Sequence, residues 1–440
     1  MSAIPGGLAT DQQPPMTIPL RHFLVGLGFL VLAVVLGTLA AAEPTLASGS
    51  LAHVHLALVG WVCVTIMGAM TQFVPVWSGT QLHSRRLAVV QLWLVTAGLL
   101  GFAAALLAGR LAWLPAFGAL MLAGFWVFAY NIARTLAGAA PYDVTERHFL
   151  VALGFFVLLT VLGFLLALDF AVPFLGDIGL PRPRVVMAHA TLAVFGAVLT
   201  TVFGALYQLA TMFTQTELGR VDVALQRFEE AAYPVGVLAL AGGRLGAFTT
   251  VATVGGLLVA AGALCVAVVL ARRLLSSQVG WSPMLRRYAA VVPATAAWAA
   301  LAVPVWIARP LAPAALLGAP GAGHLLVVGV VGFVVLGTLY HVVPFIIWVH
   351  RYSDRLGLEP VPMVDDLYHE RLAHLEFVVT GAGGLALIVA EYAAVPRELL
   401  VAAGALTAVG LGVFSVTLLL VVRDHSPQSV RELLLGRLAV

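Results

Sequence analysis

The stretch LAHVHLALVGW, residues 51–61, carries His53 and His55 one residue apart with no other ionisable side chain. Neutral imidazole ligates iron, copper and zinc. A polar group held in so apolar a segment is a functional-site hypothesis by default. Two further histidines fall into register with this pair. The segments HVHLALVGWVCVTIMGAMTQFVP, HATLAVFGAVLTTVFGALYQLAT and GAGHLLVVGVVGFVVLGTLYHVVP align on glycines eight residues apart, Gly60 and Gly68, Gly196 and Gly204, Gly329 and Gly337. Fifteen residues before the second glycine stand His53, His189 and Ala322; thirteen before it stand His55, Thr191 and His324.

Residues two apart on an α-helix lie roughly 200° apart around the axis and about 3 Å apart along it. His53 and His55 therefore face different neighbours at nearly one depth and cannot share an ion through one face. In a ring of three equivalent helices, the first slot of one helix faces the second slot of the next. That pairs His53 with His324 and His189 with His55, and leaves Ala322 with Thr191 as a vacancy. Two facing imidazole pairs in an apolar layer suit two six-coordinate haem irons, each ligated from both sides of its plane. A lone histidine near the end of a spanning helix is commonly an interfacial or hydrogen-bonding residue; the shared register is what argues for ligands. A copper or zinc site is the other chemical option.

The elements that must position these residues are apolar helices. The chain has 440 residues, 61% hydrophobic and 10% charged, with a mean hydropathy of +1.03. Apolar segments of about 20 residues follow one another, each long enough to cross a hydrocarbon core. Twelve spans are expected, near 20–42, 51–77, 87–108, 112–134, 148–168, 185–212, 228–246, 248–271, 288–308, 322–348, 372–393 and 398–422. The N-terminus begins polar and Pro/Gly-rich, without a signal-peptide pattern. The net charge of +3 does not indicate nucleic-acid binding, because all 23 basic residues are arginines placed between the spans. With the N-terminus inside, inner loops and tails hold 17 of them, Arg437 included. The outer loops hold Arg110, Arg182, Arg184, Arg244, Arg309 and Arg397. This asymmetry predicts a cell-membrane protein with both termini cytoplasmic and the histidine layer toward the outer face. Cys63 and Cys265 both fall in apolar spans, so no disulfide framework or CxxC site is implied, and no CxxCH motif for covalent haem occurs.

An internal repeat organises the spans. RHFLVGLGFLVLAVVLG at Arg21 and RHFLVALGFFVLLTVLG at Arg147 are near copies, and a fainter third opens at Arg287–Tyr288. The expected organisation is one structural domain of three four-helix units, 1–140, 141–278 and 279–425, followed by a tail, 426–440. The paired glycines are expected to form a small-residue stripe that lets a flat ring or another backbone approach.

The H-x-H, the glycines and the terminal proline of AHVHLALVGWVCVTIMGAMTQFVP resemble spans 2 and 10 of the catalytic subunit (subunit I) of haem–copper oxidases and nitric-oxide reductases. The resemblance covers the chain in architecture and is specific in spans 2, 6 and 10. It implies an all-α integral membrane fold with twelve transmembrane helices in three pseudo-threefold four-helix arcs. By that resemblance His53 and His324 occupy the slots of the low-spin haem ligands. Ala322 stands where the high-spin haem ligand is expected, and span 7, RFEEAAYPVGVLALAGG, has none of the family's copper-binding histidines. The chain therefore reads as a divergent member lacking the copper and high-spin haem ligands.

Expected cofactors are two b-type haems held by His53, His324, His55 and His189, with no copper. Arg182, Arg184 and Arg397 are candidate partners for haem propionates. No residue is assigned a catalytic role. Electron transfer, of a cytochrome b kind in a respiratory chain, is favoured over terminal oxidase activity. The partner would be an electron-donor or -acceptor protein or a quinone, in the lipid bilayer, with or without an accessory subunit. Two other functions compete: an active oxygen or nitric-oxide reductase with an unconventional site, and a haem-free transporter or channel. The scarcity of charge in the spans weighs against the transporter. His22 and His148, one position past the repeated arginines, read as interfacial structural residues. His341 reads as an interhelical hydrogen-bonding residue, with a quinone contact as its other reading.

Overall fold

A computed structural model of the chain describes residues 12–43, 49–393 and 395–436; Arg437 lies outside them. The described residues are helical with no strand. The long helices are α1 Thr17–Ala42, α2 Gly49–Ser78, α3 Arg85–Leu107, α4 Leu111–Leu136, α5 Val144–Ala171 and α6 Arg182–Thr214. They continue as α7 Arg220–Gly246, α8 Thr249–Leu275, α9 Pro283–Ala308, α10 Leu325–Arg351, α11 Glu370–Tyr392 and α12 Arg397–His425. A short helix, α13 Val430–Leu435, follows. Eleven of these helices are long and apolar enough to cross a membrane. The exception among the long ones is α7, whose first three turns carry Arg220, Asp222, Arg227, Glu229 and Glu230.

Helices suit an apolar medium because each backbone group is satisfied within its own segment. Their ends are set by local chemistry. Ser84 accepts from the Leu87 N–H ahead of α3. Asp143 and Glu146 form a reciprocal capping box at the start of α5. Ser282 caps α9, where Pro283 occupies the first turn and so removes an N–H that has no intrahelical partner.

Packing recurs along the chain. The helix pairs α3 with α4, α7 with α8 and α11 with α12 pack side by side, and α1 packs on α2, α5 on α6 and α9 on α10. Between these groups α4 packs on α5, α8 on α9 and α12 on α1, which closes a ring. Helices α2, α6 and α10 meet in the middle, where Thr65, Thr201 and Thr338 line one small apolar cavity. Arg21 donates to the carbonyls of Leu433 and Gly436, so the start of α1 and the end of α13 lie on the same side.

The three central helices share a departure from α geometry. Each contains eight residues of π-helix, Leu56–Cys63, Leu192–Leu199 and Leu325–Gly332. The residue just before the π segment is His55, Thr191 or His324, the second of the two histidine slots in every case. Such segments are rare and occur often at functional sites. Nothing in hydrophobic periodicity announces them.

The glycine stripes of α2 and α6 meet aromatic and imidazole side chains of the helix before each. A Cβ at Gly60 or Gly68 would strike Phe29 or His22 of α1, and at Gly196 or Gly204 it would strike Phe155 or His148 of α5. These glycines admit side chains of the preceding helix and so let the two helices pack closely.

Candidate functional site: two facing histidine pairs

In α2 and α6 both slots lie in α-helical turns ahead of the π segments, so the two-residue splay holds there; Ala322 precedes the helical turn that carries His324. His53 turns toward α1, where its Nδ1 lies 2.7 Å from the Ala33 carbonyl oxygen. His55 turns the other way; its ring lies 5.0 Å from that of Phe102 on α3. His189 repeats His53 against α5, with Nδ1 2.9 Å from the Leu159 carbonyl oxygen. Ala33 and Leu159 are counterparts when the two copies of the first helix are superposed as sequences. So are Gly37 and Gly163, and each makes room for the ring. A Cβ at Gly37 would sit 2.6 Å from His53 Cε1, and one at Gly163 would sit 2.9 Å from His189 Cε1.

Each of the four imidazoles has its Nδ1 engaged. His55 Nδ1 lies 2.8 Å from the Leu51 carbonyl oxygen, one helical turn back. His324 Nδ1 lies 2.8 Å from Glu391 Oε1, a charge contact without hydrogen-bond alignment. A carbonyl oxygen can only accept, so the proton of His53, His55 and His189 sits on Nδ1 and Nε2 keeps its lone pair. That is the arrangement in which an imidazole ligates a metal through Nε2 while its other nitrogen is fixed from behind.

His53 and His324 line a single cavity of about 370 Å³ between α1, α2, α10, α11 and α12. Its walls include the small residues Gly37, Ala57, Gly332 and Gly404. Trp61 also lines this cavity, and its indole N–H is buried without a hydrogen-bond partner. His53 and His324 are near enough for charge on one to act on the other, and the same is true of His189 and His55. A cavity walled by small residues with two histidines on its lining fits a flat macrocycle carrying iron.

The third slot pair is built otherwise. Thr191 and Ala322 are both fully buried. Arg244 donates to Thr191 Oγ1 at 2.7 Å and to the Ala315 and Leu316 carbonyls at 2.7 and 3.0 Å. Beside it Trp298, Trp306 and Phe195 form a cluster with ring centroids 5.6–5.7 Å apart. Both indole N–H groups are bonded to carbonyls of the segment before Ala322. The interface between α6 and α10 is thus packed with protein. Arg244, expected in an outer loop, lies instead in the last turn of α7 and is 1% exposed.

The candidate propionate partners are distributed around the two pairs. Arg397 is exposed and donates to the Ala41 and Ala42 carbonyls at the end of α1, beside the His53–His324 cavity that Ala41 lines. Arg182 is bound to Asp169 at 2.8 Å and lies over the Phe170 ring. Arg184 is exposed, on the first turn of α6.

Two buried glutamates of the bundle are paired. Gln91, Glu229 and Glu376 each stand seven residues before a glycine, Gly98, Gly236 or Gly383. At those glycines the third helix of each group meets the backbone of the fourth. All three side chains are fully buried. Glu376 pairs with Arg287, which lies over the Tyr340 ring, and accepts from Thr380. Glu229 lies 3.0 Å from His148 Nε2 and accepts from Tyr207. His148 spends its Nδ1–H on the Val144 carbonyl, so its contact with Glu229 needs a second proton, on imidazole or carboxyl. In the first group His22 Nε2 and both polar atoms of Gln91 are buried without partners. His22 and His148 are buried near the starts of α1 and α5.

His341 lines a separate cavity of about 600 Å³ at the far ends of α2, α6 and α10, with Gln72, Tyr340 and Asp365 among its neighbours. Its ring lies 4.5 Å from that of Phe213 and 5.9 Å from that of Phe345. Sequence reasoning missed Glu391, the tryptophan cluster and the buried carboxylates. A glutamate recurring seven residues before a glycine was a visible signal; the other two join residues remote in sequence. No family model matches this chain, and no curated protein does either.

Proposed function

We propose that this chain is a membrane electron-transfer protein, distantly related to subunit I of the haem–copper oxidases. In this reading three four-helix units, twelve spans in all with α7 among them, hold two bis-histidine b-type haems. His53 with His324 and His189 with His55 are the ligand pairs. The haem layer lies toward the outer face of the cell membrane, and both termini are cytoplasmic. The observation that carries the reading is the state of the four imidazoles. Three Nδ1 atoms are held by backbone carbonyls and the fourth faces Glu391, no Nε2 among them has a protein hydrogen bond in the described residues, and in each expected pair charge on one ring acts on the other.

Bound iron would supply a one-electron couple. His53, His324, His55 and His189 would hold the two groups, with Gly37 and Gly163 making room for the rings of His53 and His189. Arg397 at the mouth of the first cavity and Arg184 at the start of α6 are the groups available to balance propionate charge. Lateral transfer within the layer, or exchange with an electron-carrying protein or a quinone, is the activity that such an arrangement supports.

The test is a reduced-minus-oxidised spectrum with haem counting on protein purified from haem-replete cells. Two low-spin b-type haems per chain are expected. His324→Ala should remove one and His189→Ala the other. A colourless protein, or loss of both haems or neither in each variant, rejects the reading.

A further inference from the structure

Three of the four imidazoles are backed by the same kind of group and one is not. His53, His55 and His189 donate to backbone carbonyls, at 2.7–2.9 Å. His324 instead faces a carboxylate, Glu391 Oε1 at 2.8 Å, and its own backbone N–H lies 3.4 Å from Glu391 Oε2. Glu391 comes from the last turn of α11, on a different helix from any of the four histidines. Its approach is set by the turn ahead of α10. Gly321 there has φ +81°, and a Cβ on it would lie 3.2 Å from the Glu391 side chain and backbone. Only glycine takes this conformation readily, and here it also clears the space for the carboxylate.

Resting on the reading above, we propose that Glu391 is a positioning residue that makes the two haem sites unequal. It would set the His53–His324 site at the lower reduction potential and the His189–His55 site at the higher. The His324–Glu391 contact is a charge contact, and a negative charge beside an imidazole raises its basicity as a ligand, which a neutral carbonyl does less. The more electron-rich ligand, and the negative charge itself, stabilise the ferric over the ferrous state. One electron then moves downhill from ferrous iron at the first site to ferric iron at the second, with no proton or third reagent in the step. Charge in a site of low dielectric acts strongly, and Glu391, with a side chain 24% exposed, is only partly screened.

The experiment is a potentiometric titration, followed by absorbance, of the purified full chain and of Glu391→Gln. Two one-electron waves are expected for the unaltered protein. The wave assigned to the first site is the one absent from His324→Ala. In Glu391→Gln that wave should shift to favour reduction by about tenfold, roughly 59 mV for one electron, and the other should stay. No shift, an equal shift of both waves, or a shift confined to the wave that His324→Ala retains would overturn the proposal. If Glu391→Gln fails to keep both haems, Glu391→Asp takes its place. Its first wave should move in the same direction by a smaller amount, and an unmoved wave would overturn the proposal equally. Absence of haem from the unaltered chain is a different failure, that of the electron-transfer reading itself.

Discussion

Gly37 and His53 are in such close apposition that a methyl group on the glycine would sit 2.6 Å from both Cε1 and Nδ1 of the ring. The same relationship links Gly163 and His189 in the second copy, at 2.9 and 3.3 Å. No real Cβ sits so near a ring atom, so the imidazole would have to turn away and break its bond to Ala33 or Leu159. Gly37→Ala should therefore lower haem content from two per chain to about one, with the His189–His55 spectrum kept. Gly163→Ala should do the converse. Full haem content in both variants would show that the glycines do not hold the ligands in place.

The packed third interface predicts that restoring histidines there is insufficient. Thr191→His together with Ala322→His completes the pattern of slots, yet Trp298, Trp306 and Arg244 occupy the surrounding space. If the proposed reading holds, the double variant should bind two haems and not three, and haem counting checks it. Trp306→Ala should destabilise the protein by about 3–5 kcal/mol, the usual cost of emptying a buried aromatic site, measured by unfolding in detergent. A third haem in the double variant would mean that the site, not the packing, was missing.

Arg287 and Glu376 are each 0% exposed and face one another. Removing one partner strands the other in a medium that solvates charge poorly. Glu376→Leu or Arg287→Met alone should cost about 3–5 kcal/mol, whereas the double replacement should recover most of it. Detergent unfolding of the three variants forms a double-mutant cycle. A double variant as unstable as the sum of the singles would show that the pair contributes nothing beyond its packing.

In the proposed reading, two imidazoles on each iron would leave no position for an exogenous ligand. Carbon monoxide added to the reduced protein should leave the spectrum nearly unchanged. A strong change at one equivalent per chain would identify an open-coordinate haem and favour the competing reductase reading.

The helical spans were legible because a helix in an apolar medium writes itself as a run of about 20 apolar residues. The histidine slots were legible for a related reason: near copies of a segment can be aligned by their glycines, and α-helical rotation converts spacing into direction. The π segments were not, since all three read as apolar helix and the extra residue per turn leaves no mark in composition. The pairing of charges was also out of reach. Arg287 and Glu376, or Arg244 and the carbonyls of the 310–316 segment, are far apart in sequence and meet only through packing.

Sequence alone determined that this chain is a bundle of apolar helices, and which histidines share a depth. Both follow from local periodicity and repetition. Tertiary structure alone decided what stands behind each imidazole, which of the three central interfaces has room for a ligand, and where the buried carboxylates find their partners. Those depend on which helix lies beside which, and neighbours in a bundle are fixed by the shapes of many side chains at once.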